Sequence, residues 1–315
     1  MHFLSKETNI DFVGVRYYAL AISVILLLIS GYAIVTKGLN LGIDFTGGTM
    51  IEVGYPTAAN LDEVRSTLEG GGYENAMVQN FGSLADVLIR LPSIETENTA
   101  EISNNIMTLL KAEHGDDIEL RRVEFVGPQV GEELAEDGGL AVLYAMIGIL
   151  IYIAMRFEYR FAISSVAALV HDVIITVGVF ALFEIDFDLT VLAAILAVIG
   201  YSLNDTIVIF DRVRENFLKM RKATPLEVIN KSINGTLGRT LITSGTTLFV
   251  VIALYVLGGE AINAFALALI LGIVIGTYSS MYIAGTAVLL MGVTKNDLIK
   301  LDKEETDVNP DGSQV

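Results

Sequence analysis

Cysteine is absent from the 315 residues, which excludes disulfides, thiolate metal sites and a cysteine nucleophile. Histidine occurs only three times, at His2, His114 and His171, and no His/carboxylate cluster has the spacing of metal ligands. We therefore expect no metal, no cofactor and no enzymatic activity. The formal net charge is −17, and we expect no nucleic-acid partner.

Apolar residues, by contrast, are abundant and concentrated in long runs. They make up 53% of the chain, and the mean hydropathy of +0.59 exceeds that of a soluble domain. A helix needs about 20 apolar residues to cross a hydrocarbon layer of about 30 Å. Six runs approach or exceed that length: 18–35, 140–155, 161–183, 189–210, 240–257 and 262–291. We predict a polytopic α-helical membrane protein with six transmembrane helices, because a soluble protein would lack the polar sequence to cover them.

The first apolar run resembles a signal peptide only in part. Lys6 and Arg16 precede it, but no small-x-small cleavage site follows, and the run continues to residue 35. The second run is the shortest, with 16 residues, and we expect it to begin nearer Gly138. We interpret the first run as a retained membrane helix, which makes residues 1–36 a cytoplasmic N-terminus followed by the first span.

Charge in the short loops predicts the orientation of the spans. Residues 211–239 include seven basic and three acidic side chains. The loop after the third run has three acids and no base, and the loop before the sixth run has only Glu260. Because basic loops stay on the cytoplasmic side, both termini are expected in the cytoplasm, including a C-terminal tail at 293–315.

One large hydrophilic segment, residues 37–139, follows the first span and is therefore expected outside, with the remaining five-helix bundle at 140–292. It contains six basic and nineteen acidic residues. Alternating apolar residues predict strands at 50–55, 76–81, 84–91 and 118–126, and helical spacing predicts helices at 60–69 and 99–113. This order is that of a small α+β ferredoxin-like domain. It has no His/Ser/Asp constellation and no phosphate-binding glycine loop, so binding or mechanics is the expected role.

Ionisable side chains inside the spans are the candidate functional residues, because each costs about 2.5–3.5 kcal/mol to insert. His171 and Asp172 lie near the middle of the third span. Asn204 and Asp205 lie in the fourth, where Tyr201 and Ser202 extend the polar patch. Arg239 opens the fifth span from the cytoplasmic side, so Asp205 and Arg239 could meet at similar depth. A carboxylate balanced between burial and a guanidinium can load and release protons. The alternatives stay open: static polar pairs that fix helix packing, and an Arg239 that only anchors its helix at the headgroups.

Small residues recur at every fourth position of the sixth span: Ala264, Ala268, Gly272, Gly276, Ser280 and Ala284. The segment GIVIG at 272–276 is the local GxxxG form, which lets two helices approach closely. The pattern predicts tight packing at Gly272, Gly276 and Ser280 but does not say whether the partner helix belongs to this chain. Residues 212–234 mix bases with apolar side chains, which fits either an interfacial helix on anionic lipid or a solvated loop.

Five motifs occur in order along the chain: LGIDFTGGT (41–49), VGPQVGEEL (126–134), LVHDV (169–173), GYSLNDTIVIFDRVREN (200–216) and NGTLGRTLITSG (234–245). With six spans and one exported domain after the first, the chain resembles the SecF branch of the SecD/SecF protein-export family. The resemblance implies an RND-type half-bundle in the bacterial inner membrane. It also implies a proton path whose acid corresponds to Asp205 and whose base corresponds to Arg239.

The same resemblance implies a function and partners. SecF-type subunits act with SecD to drive late preprotein translocation with the proton-motive force, after SecA has pushed the substrate. The implied partners are SecD, the SecYEG channel with YajC/YidC-type subunits, and the preprotein. A structural membrane scaffold without ion coupling is one alternative, and half of a small-molecule RND exporter is another. An exporter of that type would need about twelve spans and two exported loops in one chain.

Overall fold

A computed structural model describes residues 8–92, 99–220 and 222–293 of the chain. Residues 294–315, which make up nearly all of the predicted C-terminal tail, lie outside the described residues. Within the described residues, six helical segments are long and apolar enough to cross a membrane. The prediction of a six-span membrane protein with a small α+β domain is confirmed.

Six helical segments form the membrane bundle. They are α1 (Arg16–Thr36), α5 (Pro128–Arg156), α6 (Tyr159–Phe183), α7 (Leu189–Lys219), α8 (Pro225–Leu257) and a composite sixth span. The sixth span begins with a 3-10 turn at Glu260–Ile262, continues as α9 (Asn263–Ser279), passes through a π-helical turn at Ser280–Ala284 and ends as α10 (Gly285–Leu290). Helices α6, α7 and α9 lie at the centre of the bundle, where they contribute most of its buried residues.

The second, fourth and fifth helices are longer than their apolar runs. Helix α5 begins at Pro128, ten residues before the predicted start, because Pro at the first helical position favours initiation there. Helix α5 is therefore longer than the predicted second span and runs through the boundary expected at residue 139. Helices α7 and α8 likewise extend past the apolar runs to Lys219 and from Pro225. Thr224 and Glu227 form a capping box at the start of α8.

The small domain is a four-stranded antiparallel sheet with two helices on one face. Its elements are β2 (Gly48–Gly54), α3 (Leu61–Gly70), β3 (Met77–Phe81), β4 (Ser83–Leu91), α4 (Thr99–His114) and β5 (Glu119–Val126). The strand order is β3-β4-β2-β5. This is the predicted split βαβ arrangement, and the predicted Asx cap is present, since Asn60 accepts a hydrogen bond from the amide of Asp62.

Alternate residues of the central strands form the core of this domain. Ile51 of β2 pairs with Ile89 of β4 on one side and with Val123 of β5 on the other. Ile51 and Ile89 are fully buried, together with Val64 and Leu68 from one face of α3 and Ile102, Ile106 and Leu110 from α4. The alternate apolar residues of the strands and the apolar faces of the two helices therefore pack together in one layer, as the sequence predicts.

A single helical turn, α2 (Ile43–Thr46), joins the sheet domain to the bundle. Asp44 accepts a hydrogen bond from the amide of Leu189, the first residue of α7, at 3.0 Å. The two glycines that follow have positive φ and leave no room for a side chain. A Cβ on Gly47 would lie 2.8 Å from the Cα of Pro128, and a Cβ on Gly48 would lie 2.3 Å from the carbonyl oxygen of Leu91. This turn contacts α5, α7 and the sheet at once, which explains why glycine is needed there.

A polar contact fixes the sheet domain on one end of the bundle. A short strand, β1 (Asn40–Leu41), pairs with β6 (Asp186–Phe187) in the loop between α6 and α7. Asp186 forms a mostly buried salt bridge with Arg90 of β4 and accepts a hydrogen bond from Gln79 of β3 at 2.7 Å. The open face of the sheet therefore rests on the α6–α7 loop.

The opposite end of the bundle holds the N-terminal segment and the turn between α7 and α8. Asn230 and Asn234, one helical turn apart on α8, both donate to the carbonyl of Ile10, at 3.1 and 2.8 Å. Asn234 also accepts from the amide of Ile10 at 2.8 Å. Phe12 and Val13 are buried against the bundle beside these hydrogen bonds. The sheet domain and the basic α7–α8 turn thus lie at opposite ends of the spans.

Most apolar residues of 212–234 face the protein interior, although Leu226 is exposed. Phe217, Val228, Ile229 and Ile233 are at most 3% exposed and belong to the bundle core. They lie on the extensions of α7 and α8 rather than on a separate helix. The segment is therefore neither a separate interfacial helix nor a solvated loop, and its contact with anionic lipid stays a prediction.

The small-residue face of the sixth span packs against α7 of the same chain. A Cβ on Gly272 would lie 2.2 Å from a methyl group of Val198, and a Cβ on Gly276 would lie 2.9 Å from the Cβ of Ser202. Ala268, Ser280 and Ala284 on this face are fully buried. The structure thus answers the question that the pattern leaves open: the partner helix is internal.

Replacing Gly272 by Leu should destabilise the bundle, because overpacking of a close contact typically costs about 1–3 kcal/mol. The matched control is Val274→Leu on the same helix, since Val274 is exposed and off the packed face. Thermal denaturation of the two variants in detergent checks this prediction. Equal melting temperatures for Gly272→Leu and Val274→Leu would contradict it.

Candidate functional site

Two carboxylates are buried within the membrane-spanning bundle. Asp172 lies at the middle of α6 and is 1% exposed, and Asp205 lies on α7 and is 4% exposed. An ionisable group at this depth is costly unless polar partners compensate for the lost water. The two carboxylates differ sharply in the partners that they have.

Asp172 is held by three donors from three helices. Its Oδ1 lies 2.9 Å from Nδ1 of His171, the preceding residue on α6. Its Oδ2 accepts hydrogen bonds from the hydroxyls of Ser202 on α7, at 2.7 Å, and Ser279 on α9, at 2.8 Å. All four side chains are at most 4% exposed. The carboxylate therefore links α6, α7 and α9 at the centre of the bundle.

Glycine on α9 makes this convergence possible. Gly276 lies one turn before the end of α9, where an added Cβ would lie 2.9 Å from Oγ of Ser202 and 3.5 Å from Oδ2 of Asp172. A larger residue would push Ser202 out of hydrogen-bond range of the carboxylate. The small-residue face thus serves the polar site as well as the packing of α7 on α9.

Asp205 has a weaker set of partners. Its Oδ2 accepts from the hydroxyl of Ser244 on α8 at 3.3 Å, and Ser244 in turn accepts from Thr277 on α9 at 2.8 Å. Among the described residues this is the one hydrogen bond that Asp205 receives. Because a long, single hydrogen bond compensates little for burial, the charge on Asp205 is less stabilised by neighbours than that on Asp172.

Arg239 and Asn204 lie on the outer surface of the bundle. The Arg239 guanidinium is close enough to act on Asp205 through its charge, but the two form no salt bridge among the described residues. Both Arg239 and Asn204 are exposed on α8 and α7, respectively. The sequence grouped Asn204 and Ser202 with Asp205 in one polar patch. In the structure, Asn204 is exposed on the surface of the bundle, and Ser202 donates its hydrogen bond to Asp172.

A π-helical turn interrupts the sixth span directly after these donors. Ser280, its first residue, lies 2.9 Å from the hydroxyl of Thr206 on α7 and donates to the carbonyl of Ser202 at 3.3 Å. Such turns inside helices are frequent at functional sites because they reorient side chains locally. Ser280, predicted from the small-residue pattern as a packing position, therefore also belongs to the polar layer.

Four hydroxyl residues of the site were missed from the sequence: Thr206, Ser244, Thr277 and Ser279. Ser and Thr are common in membrane helices and carry no charge signal. The signal that could have found Ser279 is its place beside the small-residue ladder, next to Gly276 and Ser280. Within the described ranges, no group of three His, Asp or Glu side chains could hold a metal ion.

Comparisons with known proteins agree with one another. The family described as protein export membrane protein SecD/SecF, C-terminal, matches residues 106–294, and the SecD/SecF GG motif matches residues 32–56. The protein translocase subunit SecF of Vibrio alginolyticus is 50% identical over 303 residues, covering 96% of each chain. The SecF subunit of Pseudomonas aeruginosa is 49% identical, covering 96% of this chain and 97% of its own.

Two solved structures have the same fold. The crystal structure of SecDF, a translocon-associated membrane protein from Thermus thermophilus, matches with a TM-score of 0.83 and 35% identity over 92% of this chain. A crystal structure of SecDF in a super-membrane-facing form matches with a TM-score of 0.67 and 34% identity over 95% of this chain. This chain spans only 39% and 40% of the length of those SecDF chains. With matches over nearly its whole length, the chain belongs to the SecF family of protein translocase subunits.

Proposed function

We propose that this SecF-family chain acts with SecD to drive a late stage of preprotein translocation, using the proton-motive force. The observation that carries the proposal is Asp205, a carboxylate buried in the bundle. Within the part of the chain that the structure describes, it has a single hydrogen bond, of 3.3 Å, and lies within electrostatic range of Arg239. Because few polar groups are held in place around Asp205, its carboxylate can gain or lose a proton without breaking many hydrogen bonds. Each proton that crosses with the potential supplies about 2.3 kcal/mol per 100 mV.

Exposed polar side chains near Asp205 support the presence of a second membrane subunit against this part of the bundle. Asn204 and Arg239 are polar, lie on transmembrane helices and face outward. A polar side chain exposed to lipid is costly, whereas the same side chain against another helix can be paired. The solved SecDF chains hold a counterpart of this chain together with further sequence in one polypeptide. We propose that a separate SecD subunit covers this face and supplies the remaining polar partners.

The structure also supports the charge-based orientation. The sheet domain and the basic α7–α8 turn lie at opposite ends of the spans. If the basic turn is cytoplasmic, the acidic sheet domain lies on the outer face of the inner membrane, where it can meet the emerging preprotein. The cytoplasmic end, with exposed Lys222 and Lys231, would lie near anionic lipid and the SecYEG channel with its YajC/YidC-type subunits.

The two alternative functions, a scaffold and half of a small-molecule exporter, differ in what they predict about ion coupling and partners. A scaffold without ion coupling accounts for the packed α7–α9 interface but leaves the weakly compensated Asp205 without a role. Half of a small-molecule exporter would use the same bundle but would not need the other translocase subunits. Proton or sodium flux into vesicles that contain the purified complex separates a motor from a scaffold.

Cysteine labelling tests the orientation, and the natural absence of cysteine gives a clean background. Ser66 of the sheet domain and Lys222 of the α7–α8 turn are both exposed. A Ser66→Cys variant should react with an impermeant maleimide in intact spheroplasts, and Lys222→Cys only after permeabilisation. The reverse pattern of labelling would overturn the orientation.

The variant Asp205→Asn should insert and bind SecD normally yet lose the gradient-driven stage of translocation. The change removes the titratable charge with almost no change in shape. The measurement is translocation of a trapped preprotein intermediate into vesicles with and without an imposed proton gradient. Arg239→Met should impair the same stage, because its charge acts on Asp205.

Asp211→Asn is the matched control for Asp205→Asn. Asp211 lies on the same helix, is about half exposed and pairs with Arg156 at 3.1 Å. An exposed ion pair contributes only about 0–1 kcal/mol, so this variant should respond to the gradient like the wild type. A gradient response in Asp205→Asn equal to that of Asp211→Asn would rule out the proposed role of Asp205.

A further inference from the structure

The His171 imidazole is buried at the centre of the bundle and has one polar partner. It is 4% exposed, and its Nδ1 lies 2.9 Å from Oδ1 of Asp172. Its other ring nitrogen, Nε2, is buried and has no hydrogen-bond partner among the described residues. Buried polar atoms in folded proteins are nearly always paired, so an unpaired ring nitrogen at this depth calls for an explanation.

The partners of Asp172 determine which ring nitrogen carries the hydrogen. Oδ2 of Asp172 accepts from the hydroxyls of Ser202 and Ser279, which leaves Oδ1 as the acceptor for His171. An ionised Asp172 can only accept, so with this carboxylate Nδ1 of His171 is the donor. In a neutral imidazole the other nitrogen is an acceptor, so Nε2 presents a free lone pair inside the membrane.

The surroundings of His171 contain few other groups that could compete for a proton. Tyr278 of α9 stacks on the imidazole with ring centroids 6.4 Å apart, and its hydroxyl bonds to Ala19 and Ser23 of α1. Helix α1 has no charged residue after Arg16, and α9 has none. On α6 the neighbouring acid is Asp172, and on α7 it is Asp205, one turn beyond Ser202.

We propose that Nε2 of His171 is a proton-binding site of this chain, separate from Asp205. The inference rests on the proposed proton-driven function and deepens it. The proton binds to the Nε2 lone pair, while the Nδ1 hydrogen stays donated to Asp172. Loading therefore converts a single buried carboxylate into a neutral imidazolium–carboxylate pair. In a medium of low dielectric, the neutral pair costs less to bury than the isolated charge.

The site is placed where a change of charge can alter helix packing. Asp172 draws Ser202 of α7 and Ser279 of α9 toward α6, and its pull on both hydroxyls weakens when the imidazole becomes positive. Helices α7 and α9 also carry Asp205 and Thr277, which belong to the second carboxylate site. Protonation of His171 therefore acts on the same two helices that hold Asp205. A purely static polar lock would not need an unpaired Nε2.

Nitrogen-15 NMR tests the site directly, because the chain has only three histidines. In the variant His2→Gln/His114→Gln, all ¹⁵N-histidine signal comes from His171. With the protein in lipid bilayers, the Nε2 shift should change reversibly with pH from that of an acceptor nitrogen to that of an N–H, while Nδ1 stays protonated. A ring that keeps one tautomer and one charge at every pH where the complex is active would overturn the proposal.

The variant His171→Asn connects the site with function. The Asn amide can replace Nδ1 as a donor to Asp172, but it cannot take up a proton. We expect it to assemble with SecD and to support SecA-driven initiation while losing the response to the proton gradient. A wild-type response in His171→Asn, with none in Asp205→Asn, would overturn this inference alone. A wild-type response in both variants would overturn the proposed function. Loss of response without a pH-dependent NMR shift would assign His171 a structural role and so overturn the site.

Discussion

The interior of a bilayer tolerates a carboxylate only where the protein replaces the water that it has lost. This constraint shapes the centre of the bundle. Asp172 obtains three donors, and obtaining them requires α6, α7 and α9 to meet at one point. Such a meeting requires Gly276 on α9, since any side chain there would collide with Ser202. The close approach at Gly276 and the meeting of three helices at this point therefore follow from a single buried charge.

The two buried carboxylates, Asp172 and Asp205, have different surroundings. Asp172 is surrounded by short hydrogen bonds from three helices, and its environment favours a fixed geometry. Asp205 has one long hydrogen bond and lies beside a surface on which Asn204 and Arg239 are exposed. Under the proposed function, the groups that take up protons are Asp205, with its incomplete compensation, and Nε2 of His171, which has no partner among the described residues. The Asp172 carboxylate lies between them and keeps its hydrogen bonds to α7 and α9 in the state that the structure shows.

Much of the fold follows from sequence patterns because each pattern reports a local physical requirement. Alternation in MIEVGY and helical spacing of Val64 and Leu68 predict the sheet domain, and six apolar runs predict the spans. Asp172 and Asp205 are visible because a charge within an apolar run is rare. The rotation of each helix is less visible, so the outward position of Asn204 and the role of Ser244 could not be predicted. Membrane-helix hydroxyls often bond their own backbone, as Thr246 and Thr247 do here, and a site hydroxyl looks no different in sequence.

The contact between Asp44 and the first amide of α7 constrains how that helix can move. Asp188 caps the same end by accepting from Val191, so two carboxylates hold the helix start. Asp188 moves with α7 as its own N-cap, so a shift of α7 along its axis breaks only the bond to Asp44, whereas a tilt about the capped end preserves that bond. At about 1.5 Å per residue, Asp205 lies about 24 Å from that end and Lys219 about 45 Å. A tilt of α7 about its capped end, beside the sheet domain, therefore displaces Lys219 nearly twice as far as Asp205.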